Sequence, residues 1–134
     1  MATLLIIEDD PYVLEIYGRV FTEQDYTVET ARDGDEGMQK ATSLIPNLVL
    51  LDIMIPKING FEVLEKIKGN PKTKHIPVIM LTNLSEDQFV KKAIGLGADG
   101  FMIKAQFSLQ KMVEKVEEKL RSTLGGGNGK SFNS

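Results

Sequence analysis

The chain has 134 residues, 42% of them apolar and 26% charged, the balance of one folded globular domain rather than a disordered segment. It has no cysteine, which excludes disulfides, thiolate zinc sites and cysteine nucleophiles, and no apolar run reaches the roughly 18–20 residues that span a bilayer. A net charge of −3 argues against a nucleic-acid-binding protein, and the N-terminus lacks the basic region of a secretory signal, so we expect a cytoplasmic location.

Two sequence periods alternate five times along the chain. Short apolar or β-branched runs predict five strands, at residues 4–7, 26–30, 48–51, 78–81 and 100–103. An apolar stripe with helical spacing follows each run and predicts a helix. The last stripe is the clearest and consists of Leu109, Met112, Val113, Val116 and Leu120.

Residues that favour helix starts stand at the expected places. Pro11 suits the first turn of the first helix, with Asp10 before it as a cap. Ser85 with Gln88 predicts a capping box for the fourth helix, and Gly60 is expected to open the third.

Five strands alternating with five helices imply a parallel sheet that is covered on both faces. Right-handed crossovers favour a doubly wound, flavodoxin-like α/β sandwich of three layers with strand order 2-1-3-4-5. The pattern stops after about residue 122, where the chain becomes rich in glycine. We therefore predict one domain at residues 1–122 and a flexible tail or linker start at residues 123–134.

Polar side chains stand at the carboxyl ends of four predicted strands. In chain order they are Glu8, Asp9, Asp10, Asp52, Thr82 and Lys104. These ends share one edge of a parallel sheet, where two carboxylates about 4 Å apart repel by roughly 4 kcal/mol at an effective dielectric near 20. Such a group needs a cation, and magnesium prefers oxygen ligands. Taken singly, each residue could be only a helix cap or a solvated side chain.

Short motifs around these strand ends carry a resemblance to a known family. They are residues 6–10, 50–56 with Gly60, 80–82 and 101–104. In this order they resemble the motifs of the response-regulator receiver domain of two-component signalling, over residues from about 3 to 122. The resemblance implies a single-domain switch that catalyses only its own phosphorylation and dephosphorylation.

The resemblance also implies a role for each residue at the strand ends. Asp52 would accept a phosphoryl group from the phosphohistidine of a sensor kinase or phosphotransfer protein. Glu8, Asp9 and Asp52 would hold Mg²⁺ together with the backbone carbonyl of Met54, and Glu8 would do so through water. Lys104 would pair with the acceptor carboxylate and then with the phosphoryl oxygens.

Two further residues are implied as the switch. Thr82 would donate its hydroxyl to the phosphoryl group, and Phe101 would change rotamer in response. The output would be a downstream protein or a second copy of the chain, bound through the fourth helix, fifth strand and fifth helix. No direct contact with nucleic acid or membrane is expected.

The sequence departs from the family pattern at two positions. Ala105 follows Lys104, where receiver domains usually have a proline joined by a cis bond. Since a cis bond before a residue other than proline costs about 2.5–4 kcal/mol, we expect a trans bond. Asn83 follows Thr82, where a small residue is common. Met54 and Leu84 flank the approach of water in the family, and as apolar residues they predict a long-lived phosphorylated form.

Other functions remain open on the residues alone. An Mg²⁺-dependent aspartyl-phosphate hydrolase would also use a strand-end aspartate, but such enzymes usually place a second aspartate where this chain has Met54. A flavin-binding module would need a first loop that attracts phosphate, and residues 8–10 would repel it. A degenerate receiver that acts only as a scaffold would not need the full set of strand-end residues.

Overall fold

The computed structural model describes residues 2–124 and contains one five-stranded sheet. All neighbouring strands are parallel, in the order β2-β1-β3-β4-β5. The strands are β1 (Thr3–Ile7), β2 (Thr27–Ala31), β3 (Leu48–Leu51), β4 (Val78–Thr82) and β5 (Gly100–Ile103). The predicted strand order and fold class are confirmed.

Five helices alternate with the strands, as predicted. They are α1 (Pro11–Glu23), α2 (Gly34–Leu44), α3 (Gly60–Gly69), α4 (Asp87–Gly95) and α5 (Leu109–Leu124). A 3₁₀ turn, Lys104–Gln106, lies between β5 and α5. Helix α5 runs past the predicted domain end at residue 122, and the rest of the predicted tail lies outside the described residues.

Two of the three helix-start predictions are right and one is wrong. Gly60 opens α3, as predicted. Asp10 caps α1, because its carboxylate accepts hydrogen bonds from the backbone N–H groups of Tyr12 and Val13. The capping box on Ser85 is wrong. Helix α4 begins at Asp87 with Glu86 as its N-cap and without a side-chain cap, so Ser85 lies one residue too early to cap it.

The sheet separates two apolar clusters. On one face, Leu5 and Ile7 of β1 pack with residues of α2, α3 and α4. On the other face, Leu4 and Ile6 pack with residues of α1 and α5. Because successive residues of a strand point to opposite faces, continuous apolar runs are what a sheet covered on both sides requires.

The carboxyl ends of the two central strands are held in register. Ile7 of β1 lies beside Leu51 of β3, and the backbone N–H of Asp52 donates to the carbonyl of Ile7 at 3.0 Å. The residues that follow the two strands, Glu8 and Asp52, therefore emerge side by side at one edge of the sheet. Within residues 2–124, none of the helices has the length and apolar character needed to cross a membrane.

Candidate functional site

Three carboxylates meet at the ends of β1 and β3. Glu8, Asp9 and Asp52, hereafter the acidic cluster, each place an oxygen within 4.8 Å of the other two. Glu8 and Asp52 are buried, with 3% and 7% of their surface exposed, whereas Asp9 is exposed. The cluster is therefore half sealed by protein and open to solvent on the side of Asp9.

Lys104 brings a positive charge into this cluster from the end of β5. Its Nζ donates a hydrogen bond to Oδ2 of Asp52 at 2.9 Å and a second one to Oε1 of Glu8. The lysine side chain is only 16% exposed, so both contacts are shielded from bulk water. The family resemblance implied the contact with Asp52. It did not imply the contact with Glu8.

The charges in the cluster perturb one another. Burial raises the pKa of Glu8 to about 7, although the hydrogen bonds from Lys104 and from the backbone N–H of Asp10 act in the opposite direction. For Lys104, burial acts to lower the pKa, but the hydrogen bonds to Glu8 and Asp52 outweigh it and the pKa is raised. Lys104 thus contacts two carboxylates, Glu8 and Asp52, and stays protonated.

The backbone after Asp52 is tightly fixed. The N–H of Met54 donates to Oδ1 of Asp52 at 3.2 Å, and the N–H of Gly60 donates to the carbonyl of Ile53 at 2.8 Å. A Cβ on Gly60 would lie 2.4 Å from the carbonyl oxygen of Asp52. Only glycine lets the start of α3 approach this closely, and the close approach fixes the backbone from which the Asp52 side chain projects.

The two predicted switch residues lie on the neighbouring strands. Thr82 is the last residue of β4 and is buried, and its hydroxyl oxygen accepts a hydrogen bond from the N–H of Leu84 at 3.4 Å. Phe101 in β5 is half-buried and packs against the apolar cluster that α2, α3 and α4 cover. The roles of both residues in switching stay predictions.

Sequence reasoning missed one link between the loops of the site. The side-chain oxygen of Asn83 accepts a hydrogen bond from the backbone N–H of Ala105 at 3.1 Å. The bond from Lys104 to Ala105 is trans, as expected, since residues 2–124 contain no cis peptide bond. Asn83 and Ala105 are the two positions at which the sequence departs from the family pattern, and this coincidence is the signal that the sequence offers.

The ligand set of the acidic cluster suits a hard cation. All of its donors are carboxylate oxygens, and Asp9 keeps one side accessible to water. Mg²⁺ and Ca²⁺ prefer oxygen ligands, and Mg²⁺ usually keeps several waters and takes only a few carboxylates. A cation would also relieve the repulsion among carboxylates that a single lysine leaves unbalanced. The acidic cluster could therefore bind a metal ion.

Related proteins of known family share most of this chain. The transcriptional regulator RpaA of Synechocystis is 36% identical over 123 residues, which cover 92% of the chain and 51% of RpaA. The response regulator ArlR of Staphylococcus aureus is 31% identical over 121 residues, which cover 90% of the chain and 53% of ArlR. The chain spans about half the length of these relatives.

Solved structures share its fold. A CheY-like receiver domain from Methanospirillum hungatei superposes with a TM-score of 0.88 at 28% identity, covering 94% of this chain and 98% of that one. A putative response regulator from Chloroflexus aurantiacus gives 0.83 at 29% identity, covering 89% and 97%.

The family model also matches this chain directly. The response regulator receiver domain matches residues 4–117, a span that includes the acidic cluster and Lys104. These matches do not favour the hydrolase or scaffold alternatives. The chain belongs to the response regulator receiver domain family, the phosphorylation switches of two-component signalling.

Proposed function

We propose that Asp52 is the residue of this receiver that takes the phosphoryl group, and that a histidine kinase or phosphotransfer protein supplies it. The observation that carries the proposal is the contact of the buried Asp52 with Nζ of Lys104 inside the acidic cluster. A buried carboxylate at the end of a central strand, flanked by a cation and by further oxygens that could ligate a metal, suits attack on phosphorus better than a purely structural role.

Phosphoryl transfer to Asp52 requires mainly that the charge on the phosphoryl oxygens is neutralised and that the Asp52 carboxylate is positioned for attack. An oxygen of Asp52 would attack the phosphorus of a phosphohistidine, a P–O bond would form, and the P–N bond would break with its electron pair leaving on the imidazole. Negative charge on the phosphoryl oxygens would repel the attacking carboxylate. Lys104 supplies one positive charge directly beside Asp52, and the hydrogen bond from the N–H of Met54 orients the carboxylate.

Mg²⁺ is the proposed cofactor of this site. Asp9 and Asp52 would hold it, with the backbone carbonyl of Met54 and with Glu8 through water. The ion would supply further positive charge at the phosphoryl oxygens when bound. Glu8 is already engaged by Lys104, which supports an indirect role for Glu8 rather than direct ligation.

The proposed output is a change of surface rather than turnover of a substrate. Thr82 would turn its hydroxyl toward the phosphoryl group, and Phe101 would repack beside it. These movements would alter the surface of α4, β5 and α5, where a downstream protein or a second copy of the chain would bind. The chain would catalyse only its own phosphorylation and dephosphorylation and would exchange phosphoryl groups with its kinase in the cytoplasm.

The test is labelling with acetyl phosphate and magnesium, followed by intact-mass measurement. We expect the wild-type protein to gain the mass of one phosphoryl group, Asp52→Asn to gain none, and Asp9→Ala to lose most of the labelling because a metal ligand is missing. Asp10→Asn is the matched control, since Asp10 caps α1 outside the acidic cluster. Equal labelling of wild type and Asp52→Asn would disprove the proposal.

A further inference from the structure

The hydrogen bond between Asn83 and Ala105 lies where two neighbouring strands separate. Strands β4 and β5 are paired as far as Thr82 and Ile103. Beyond that pair the chain after β5 bends into the 3₁₀ turn that begins at Lys104, and the N-cap of this turn makes no side-chain hydrogen bond. The first N–H groups of a helical turn have no partner within the turn, so they need an acceptor from elsewhere.

Asn83 provides that acceptor from the adjacent strand. Its side-chain oxygen lies 3.1 Å from the backbone nitrogen of Ala105 and caps the turn from outside. The bond connects the residue after Thr82 with the residue after Lys104. It therefore joins the two loops whose preceding residues are proposed to contact the phosphoryl group.

The position of Lys104 depends on this turn. A lysine has four rotatable side-chain bonds, so its ammonium reaches a defined place only when its backbone is held and its partners are in reach. Nζ of Lys104 meets Asp52 and Glu8, which both come from other strands. The trans bond before Ala105 provides no constraint like that of a proline ring, and the Asn83 side chain is the contact that holds the turn from the side of β4.

We propose that Asn83 is a positioning residue for phosphoryl transfer, because its side-chain oxygen holds the Lys104–Ala105 turn so that Nζ of Lys104 meets Asp52. The proposal rests on the proposed function of Asp52. Asn83 and Ala105 are both exposed, so the bond contributes little to global stability. The bond instead fixes the position of Nζ of Lys104. If Nζ moves away from Asp52, phosphoryl transfer slows, because the transfer needs a positive charge beside the attacking carboxylate.

The kinetic test uses two substitutions of nearly the same size as asparagine. Asn83→Leu removes the acceptor and should slow labelling by acetyl phosphate roughly fivefold. Asn83→Asp keeps an acceptor oxygen but adds a charge, so Ser85→Asp, which adds a carboxylate in the same loop, is its control. We expect Asn83→Asp to label within about twofold of Ser85→Asp. Labelling of Asn83→Leu at the wild-type rate, or of Asn83→Asp about fivefold or more slowly than Ser85→Asp, would overturn the proposal.

A second measurement needs no phosphodonor and separates this proposal from the one on Asp52. In NMR spectra of the unphosphorylated protein, Asn83→Leu should speed amide exchange at Ala105 roughly fivefold and shift the Nζ signal of Lys104, whereas Asn83→Asp should keep both near wild type. Unchanged exchange and an unchanged Nζ signal in Asn83→Leu would overturn the positioning role. If wild type takes up no phosphoryl group, the function of Asp52 fails, and these two signals still decide whether Asn83 positions Lys104.

Discussion

At the scale of single residues, Glu8 is the most perturbed carboxylate of the site. It is buried next to Asp52, and its pKa is raised to about 7 by that burial. The carboxyl pKa of Glu8 in the unfolded chain is near 4.5. Between about pH 4.5 and about pH 7, the folded protein therefore keeps a proton on Glu8 that the unfolded chain has released. A carboxyl group that holds its proton more tightly when folded makes the folded state less stable as the pH rises from about 4.5 to about 7.

This shift predicts a pH dependence of stability in the metal-free protein. The free energy of unfolding of wild type, measured relative to Glu8→Gln, should fall between about pH 4.5 and about pH 7, by an amount on the order of 3 kcal/mol at most. Glutamine has nearly the same shape and no titration, so the difference isolates Glu8. Urea unfolding in the presence of a chelator measures it. A difference that stays level or rises over this range would contradict the assignment of the raised pKa.

Met54 bears on the lifetime of the phosphorylated form. Its side chain is 65% exposed and apolar, and in the family this position flanks the approach of water to the acyl phosphate. A methionine cannot orient a water molecule by hydrogen bonding. We therefore expect Met54→Asn to lose its phosphoryl group roughly tenfold faster than wild type, which corresponds to about 1.4 kcal/mol of positioning.

The dephosphorylation time course after removal of the donor measures this effect. Met54→Leu is the matched control, because it changes the side chain and keeps it apolar. Leu84 is a poorer probe than Met54, because it packs against the apolar cluster that α2, α3 and α4 cover. Its replacement would disturb that packing. If Met54→Asn and Met54→Leu lose phosphate at the same rate, the apolar side chain does not set the lifetime.

At the scale of elements, α4 is held through a small set of side chains. Phe89 of α4 stacks on Phe61 of α3 with ring centroids 6.2 Å apart, and Nζ of Lys92 lies 4.5 Å from the centre of the Phe61 ring. Phe89 packs against the same apolar cluster as Phe101 of β5. A movement of Phe101 would thus change the cluster against which Phe89 of α4 also packs.

This packing predicts which parts of the chain change when the phosphoryl site is occupied. Addition of beryllofluoride and magnesium, which mimic the phosphoryl group, should change the amide chemical shifts of α4, β5 and the first turns of α5 as well as those near Asp52. Phe101→Ala should reduce the remote changes and leave those near Asp52 in place. Changes confined to the neighbourhood of Asp52 in wild type would contradict a switch that acts through Phe101.

The elements show what the sequence alone could predict. Continuous apolar runs such as 48–51 and 78–81 predict buried parallel strands, because a sheet covered on both faces needs apolar residues on both. The predicted start of α4 was wrong by one residue. Ser85, Glu86 and Asp87 are all acceptable near a helix N-terminus, so the sequence alone does not select among them.

The contacts of the site were harder to predict than its residues. The strand ends identify Glu8 and Lys104 as members of the site, but sequence cannot decide which carboxylate a long, flexible lysine will meet. The same holds for Asn83 and Ala105, whose hydrogen bond depends on how two loops leave the sheet. Spacing along the chain carries no information about such loop geometry.

At the scale of the whole molecule, one sheet brings together residues that lie far apart in the chain. Lys104 and Glu8 are separated by almost the whole domain, and the strand order β2-β1-β3-β4-β5 places their strands on either side of β3. Asp52, which follows β3, thus lies beside Glu8 and Asp9 and within hydrogen-bond distance of Lys104. The fold therefore brings Lys104 to Asp52, the carboxylate that we propose as the phosphoryl acceptor.

The most direct test of this account is to locate the phosphoryl group on the chain. After labelling with acetyl phosphate and magnesium, reduction with borohydride converts an aspartyl phosphate to homoserine, which peptide mass spectrometry assigns to a position. We expect homoserine at position 52 in wild type and none at that position without the donor. Homoserine at Asp9, Asp10 or any other aspartate, with position 52 unchanged, would contradict it.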